Sequence, residues 1–424
     1  MKLRDWDINL KVRLGGEAIV NITFWMFFPF LAIYFSDEFG KTLAGTLLVV
    51  SQAFAVIANL LGGYFSDRFG RKTMMVTASA GQGIAYLIFA LSASPWLDSP
   101  ILGFICFSIV SIFSSFYWPA SQAMIADVVP EKDRSSVFAI FYTSINIAVV
   151  IGPLLGSIFY ADHRFELLLM AGITNLVLGL LLYKLSHETA PQVLQGISGQ
   201  SQGGALAILA RQFKEYGIIL HDRVFLLFIL GGIFASMTFL QLDLLYPVYT
   251  KEVVHNQTLF AFNGWEMKVS GEQAFGILIA ENGLLVVLFT VIVSKWMGSF
   301  KERSVFVASS LCYGVAMLIA ASTHWVWGLI LSMAVFTFAE LMTVGIQNNF
   351  ISKIAPEHMR GQYFAAAGLR YTIGRMLAPL AITMTEWFGN SMTFIILFGF
   401  TVVSALLYMA TFRNLPAKTE TIAG

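Results

Sequence analysis

Charge is scarce in this chain. Only 12% of its 424 residues are Asp, Glu, Lys or Arg, 57% are hydrophobic, and mean hydropathy is +0.73. A soluble domain is nearer a quarter charged, so the composition is that of an integral membrane protein. Cysteine is almost absent: Cys106 and Cys312 lie inside apolar runs, which leaves neither a disulfide framework nor a metal site. No nucleophile–base or metal-ligand constellation is present, so an enzyme is not expected, and neither is a nucleic-acid partner. There is no ATP-binding motif: Gly70-Arg-Lys-Thr lacks the Lys that must directly follow the second glycine of a phosphate loop. No cofactor is implied, and an ion gradient remains as the drive. The start, Met1-Lys-Leu-Arg-Asp-Trp6, is charged and the first apolar run has no small-residue cleavage site, so no cleavable leader is expected.

Long apolar runs are abundant. Thr42–Ser66 and Thr73–Leu97 are both free of charge and longer than the roughly 20 residues a helix needs to cross a bilayer. Runs of this kind fall near 14–36, 43–66, 73–93, 100–127, 135–160 and 166–184, then 223–249, 273–297, 304–322, 325–352, 361–385 and 390–412. We number these spans 1 to 12. The expected fold is all-α, two six-helix bundles at 1–184 and 223–424, joined by a linker at 185–222. Of the 26 Lys and Arg, 20 fall in the two termini and the loops that share their side, and four (Lys41, Arg164, Lys251, Lys268) fall in the opposite loops. The positive-inside rule puts both termini in the cytoplasm. The linker contains Gln195-Gly-Ile-Ser-Gly-Gln-Ser-Gln-Gly-Gly204, a flexible tether by composition. Residues 205–220 are expected to form a surface helix. The outer loop at 251–272 carries Phe260, Phe262 and Trp265, which suit the lipid interface.

The halves repeat. Ile125–Arg134 and Ile351–Arg360 share an Ile-x-x-x-x-Pro-Glu-x-x-Arg pattern at an offset of 226, and the same offset carries Gly152-Pro153 onto Ala378-Pro379. Parallel repeats place a substrate path at their interface near the bilayer midplane.

Ionisable residues at membrane depth cost about 2.5–3.5 kcal/mol on insertion scales and are functional candidates. They are Glu17, Asp243, Glu281, Glu340, Arg370 and Arg375, with Asp127 at the inner end of span 4. Glu340, mid-span among Phe336, Phe338 and Met342, is the candidate proton carrier. The competing structural role is an ion pair with Arg370 or Arg375. Asp243 precedes Pro247 in Phe239–Pro247, a segment expected to be kinked or broken near the outer side. It suits a second proton site, a contact to a cationic substrate, or a hydrated vestibule residue. Glu281 resembles it more weakly. Glu17 and Asn21 share a helix face, and Glu17 is expected to reach toward the cytoplasmic surface. Arg370 and Arg375, five apart, diverge by about 140° on a helix, so one faces the cavity and the other does not. The remaining candidates for contact with substrate are Trp25, Trp118 and Asn146, from aromatic-rich and polar stretches of spans 1, 4 and 5.

Between spans 2 and 3 stands Gly63-Tyr-Phe-Ser-Asp67-Arg68-Phe-Gly70-Arg71-Lys72. This pattern resembles the loop 2–3 signature of the major facilitator superfamily. Gly152-Pro153-x-x-Gly156 is similar to the antiporter signature of its drug–proton antiporters, with Ala148 and Ser157 where glycine is usual. Gln241-Leu-Asp243 with Pro247, Thr337-Phe-Ala-Glu340, and Ala123–Asp127 with Arg134 resemble segments of the LmrP-type multidrug exporters. The resemblance implies proton-driven export of lipophilic, often cationic compounds by a monomer in the cytoplasmic membrane. It gives Glu340 and Asp243 proton and substrate roles. It implies a conformational latch of Gly63, Asp67, Arg68, Gly70, Arg71 and Asp127. Where those relatives carry an aspartate early in span 5, this chain has Phe141. One proton moving down 100 mV and one pH unit supplies about 2.3 plus about 1.4 kcal/mol, a gradient of a few hundred-fold. A dedicated exporter of one metabolite or glycolipid, a proton-coupled importer, and a non-transporting sensor are the alternatives on the same fold.

Overall fold

The computed structural model describes residues 3–190, 222–344, 346–355 and 360–415. The glycine- and glutamine-rich linker, the surface helix expected at 205–220, and Pro356–Met359 of the repeated motif lie outside the described residues, as does the side chain of Trp265.

Among the described residues, eleven helices are long and apolar enough to cross a membrane. Spans 1 to 6 are Ile8–Phe39, Lys41–Phe69, Arg71–Ser92, Pro100–Val128, Ile140–Phe159 and Arg164–Leu185. Spans 7 to 10 are Arg223–Leu242, Gly271–Met297, Glu302–Ser322 and Val326–Ile351, and span 12 is Asn390–Arg413. Span 11 is a chain of short helices, Arg360–Ala367, Leu369–Leu377 and Leu380–Phe388.

Spans 1, 7 and 11 are interrupted, each for a local reason. Span 1 tightens into a 3-10 turn at Phe28–Phe30, where Pro29 removes a backbone donor. Span 11 is divided at Ala378-Pro379 for the same reason. Span 7 ends in a 3-10 turn at Leu240–Leu242 and resumes as a helix at Leu245–Val253. The break falls within the expected segment, a few residues ahead of Pro247. Pro247 sits in the first turn of the new helix, where a missing N–H costs nothing. Gln241 stitches spans 7 and 11 together: its amide nitrogen donates to Met237 O (2.6 Å) and to Ala378 O (3.2 Å), the carbonyl just before Pro379.

The chain divides into two compact units, residues 1–31 with 50–210, and 32–49 with 211–424. In the first, span 1 packs on spans 5 and 6, and span 3 on spans 4 and 6. In the second, span 7 packs on spans 11 and 12, and span 9 on spans 10 and 12. The pairings correspond after a shift of six spans, the structural counterpart of the sequence repeat. The second unit also holds residues 32–49 by polar contacts. Asp37 pairs with Lys251, Lys41 with Glu252 (2.6 Å), and the Thr42 amide donates to Glu386 (2.6 Å).

The loop after span 7 contains a β-hairpin, β1 (Gln257–Phe262) against β2 (Trp265–Val269). Its turn is Asn263-Gly264, both left-handed at φ 48° and 79°, as a two-residue hairpin turn requires. Gln257 anchors it, donating to His324 O (2.7 Å) and accepting from Val326 N (3.0 Å), while Phe260 and Phe262 are exposed.

Candidate functional site

The loop 2–3 motif builds a charged cluster in the first unit. Gly70 has φ 100°, which lets the chain turn from span 2 into span 3. Arg71, first residue of span 3, is 9% exposed. Its guanidinium reaches Asp67, Ser66 Oγ (3.2 Å) and, across to span 4, Asp127 (3.3 Å). Arg68 lies outside this cluster, donating to Tyr64 OH (2.8 Å) on the exposed side. Gly63 faces open space.

The residues that follow span 6 complete the cluster. Glu188 Oε1 accepts from the Arg71 amide (2.7 Å) and Lys72 amide (3.4 Å), capping the start of span 3. A methyl group on Gly70 would collide with this carboxylate. Thr189 donates to Asp127 (3.1 Å), and Asn9 exchanges hydrogen bonds with the His187 backbone. Residues 186–190 are thus a strap across spans 1, 3 and 4, where linker composition predicts only a tether.

Glu17 does not extend to the surface. Its carboxylate turns inward and accepts from Arg13 Nε (2.7 Å) and Tyr117 OH (2.7 Å). Arg13 is fully buried, and its Nη atoms also donate to Ser121, to the carbonyl oxygen at 2.7 Å and to the hydroxyl. Phe141 lies under the guanidinium, 4.8 Å to the ring centroid, and stacks on Trp6 at 6.1 Å. Phe141 is thus an aromatic plate beneath the guanidinium, and Glu17 supplies the charge Arg13 needs. Sequence reasoning missed Arg13 because span 1 was begun one residue after it. The i,i+4 spacing to Glu17 was the available signal.

Beside this pair opens a cavity of about 120 Å³ lined by Glu17, Asn21, Phe24, Gln82, Tyr117 and Trp118. Three of the expected contact residues meet there. Trp25 and Asn146 are not among its walls. Trp25 packs where span 1 meets span 5: a Cβ on Gly152 or Gly156 would overlap the backbone at Trp25 and Met26. Asn146 Nδ2 donates to Tyr142 O (2.8 Å) within its own helix. Pro153 is accommodated inside the helix.

The second unit holds a larger cavity, about 230 Å³, among spans 7, 9, 10, 11 and 12. Glu340 lines it together with Ser236, Ser309, Tyr313, Arg370 and Tyr408. Among the described residues Glu340 has no ion-pair partner. Asn282 of span 8 donates to its Oε2 (3.0 Å) and also to Thr337 Oγ1 (2.9 Å), one helical turn before it.

Arg370 shares the cavity yet is held by other groups. Its Nε donates to Ala367 O (2.8 Å), both Nη atoms donate to the Gln347 amide oxygen, and the guanidinium lies 4.6 Å from the Phe228 ring centroid. Arg375 is exposed on another side of the helix, within electrostatic reach of Asp243, which in turn feels Glu340. Of the two arginines, Arg370 is therefore the one in the cavity. Glu281, next to Asn282, has a buried carboxylate oxygen without a hydrogen-bond partner.

Interrupted helices, a six-span repeat and carboxylates facing internal cavities define a secondary transporter. The profile of the Major Facilitator Superfamily matches residues 14–379 and 266–424, and the chain belongs to that superfamily. It is 57% identical to the Na(+), Li(+), K(+)/H(+) antiporter of Planococcus maritimus over 99% of both chains. It is 21% identical to macrolide efflux protein A of Streptococcus pyogenes, covering 93% of this chain and 95% of that one. Among solved structures, a POT family transporter in complex with 5-aminolevulinic acid superposes with TM-score 0.74 at 19% identity, covering 95% of each chain. A D-xylose–proton symporter superposes at 0.70 and 18% identity, covering 95% of this chain and 96% of that one.

Proposed function

We propose that the chain is a proton-coupled antiporter that exchanges small monovalent cations for protons across the cell membrane, its termini cytoplasmic. The observation that carries this reading is Glu340: a carboxylate opening into a cavity, hydrogen-bonded by neutral groups, with the nearby Arg370 engaged elsewhere. A carboxylate paired to arginine has its countercharge built in. One held by an amide can take either a proton or a cation, and exchange follows if only the loaded forms reorient. The 57% identity to a monovalent cation/proton antiporter supports the same reading. Glu340 is the shared site, Asp243 and Glu281 are auxiliary acids, and Asp67, Arg71 and Asp127 are the latch.

A second reading, export of lipophilic cations, is favoured by the first unit's cavity, where Phe24, Tyr117 and Trp118 surround the Glu17 carboxylate. The local likeness to LmrP-type exporters and the distant macrolide efflux relative point the same way. The test is proton release from acidified everted vesicles, followed by acridine orange, on adding NaCl, LiCl, KCl or an organic cation. Inorganic cations are expected to restore fluorescence, and Glu340→Gln to abolish the response. Restoration by organic cations alone would replace the first reading with the second.

A further inference from the structure

We propose that Asn282 and Thr337 supply the neutral oxygens of a small monovalent-cation site completed by the Glu340 carboxylate. The inference rests on the exchange reading above and deepens it, assigning the groups that hold the cation.

One Asn282 amide nitrogen stands 3.0 Å from Glu340 Oε2 and 2.9 Å from Thr337 Oγ1. It marks a point converged on by a carboxylate and a hydroxyl, where positive charge is favoured. The Thr337 hydroxyl spends its only proton on Met333 O (2.8 Å), so toward Asn282 it presents lone pairs. Rotating the Asn282 amide by half a turn replaces this nitrogen with Oδ1. Three oxygens from two helices then face one another, the donor set that hard cations take. Asn282 is 6% and Thr337 0% exposed, so both groups lie out of contact with bulk solvent. No thiolate or imidazole lies in the set, and its three ligands form no closed cage. Such a site accepts Na⁺, Li⁺ and K⁺ with modest discrimination.

The experiment measures, at one fixed pH, the NaCl, LiCl and KCl concentrations giving half-maximal fluorescence recovery in everted vesicles. Wild type is compared with Thr337→Val, Thr337→Ser and Asn282→Ala. The expected result is half-saturation raised about 10-fold or more in Thr337→Val and Asn282→Ala. Thr337→Ser, which keeps the hydroxyl, retains the wild-type half-saturation. Unchanged half-saturation and unchanged order among the three cations in both variants overturns the inference while leaving exchange intact. Wild type that responds to none of the cations overturns the exchange reading and the inference with it. If a variant fails to reach the membrane, purified wild type decides: Na⁺ must raise its unfolding temperature over an equal concentration of choline, and equal values overturn the site.

Discussion

Glu17 and Glu340 are both membrane-embedded carboxylates beside a cavity, one in each unit, and their surroundings are opposite. Glu17 is clamped by a fully buried arginine, a tyrosine hydroxyl and a serine. Glu340 meets an amide, and the arginine of its cavity is tied to Gln347, Ala367 and Phe228. A buried acid therefore does not by itself identify an exchanging site. What distinguishes the two is whether the fold has already supplied the countercharge. In the first unit it has, and the pair fixes spans 1 and 4. In the second it has not, and the site is open to a mobile cation.

The contrast can be broken most completely at Glu340. Glu340→Gln is expected to lower cation-driven proton movement by about 100-fold or more, read in vesicles with equal protein. Next in size, Arg13→Ala leaves Glu17 buried without its guanidinium and should destabilise the fold by roughly 3–5 kcal/mol, seen as lost thermal stability in detergent. The double variant Arg13→Met with Glu17→Gln should recover most of that loss, since replacing both charges by neutral groups is often nearly neutral. No recovery would mean that the pair is more than a clamp.

Gly70→Ala places a methyl group against Glu188 in a backbone conformation that favours glycine. A loss of more than about 1 kcal/mol is expected, partly relieved by Glu188→Ala, which removes the obstructing carboxylate. The smallest effect concerns the second unit's contact with residues 32–49. The Thr42 amide donates to the Glu386 carboxylate (2.6 Å), fastening the start of span 2 to span 11. Glu386→Ala removes the acceptor, and hydrogen-exchange protection of the Thr42 amide should fall with little change elsewhere.

Much of this architecture was legible in the sequence because the bilayer imposes one dominant rule: long apolar runs separated by charged turns. The spans, the repeat, and the clustering of Asp67, Arg71 and Asp127 all follow from it. What escaped depends on contacts between distant segments. Arg13 looks like a flanking charge until span 4 covers it. Glu188 looks like linker until it caps span 3. Asn282 stands beside Glu281, and the charged neighbour drew attention from the amide that touches Glu340. The hairpin escaped as well, although Asn263-Gly264 between alternating residues is a turn signal. The break in span 7 was legible within Phe239–Pro247 because proline is the visible breaker. A 3-10 turn ahead of it, fastened by Gln241 to Ala378, does the breaking.

The most direct test of the contrast is a side-by-side comparison in liposomes of purified wild type, Glu340→Gln, and the double variant Arg13→Met with Glu17→Gln. Proton movement driven by an imposed Na⁺ gradient is followed with an internal pH dye. The account predicts no coupled movement in Glu340→Gln and substantial coupling in the double variant. Coupling retained in Glu340→Gln and lost in the folded double variant would contradict it, moving the exchange site from the second unit to the first.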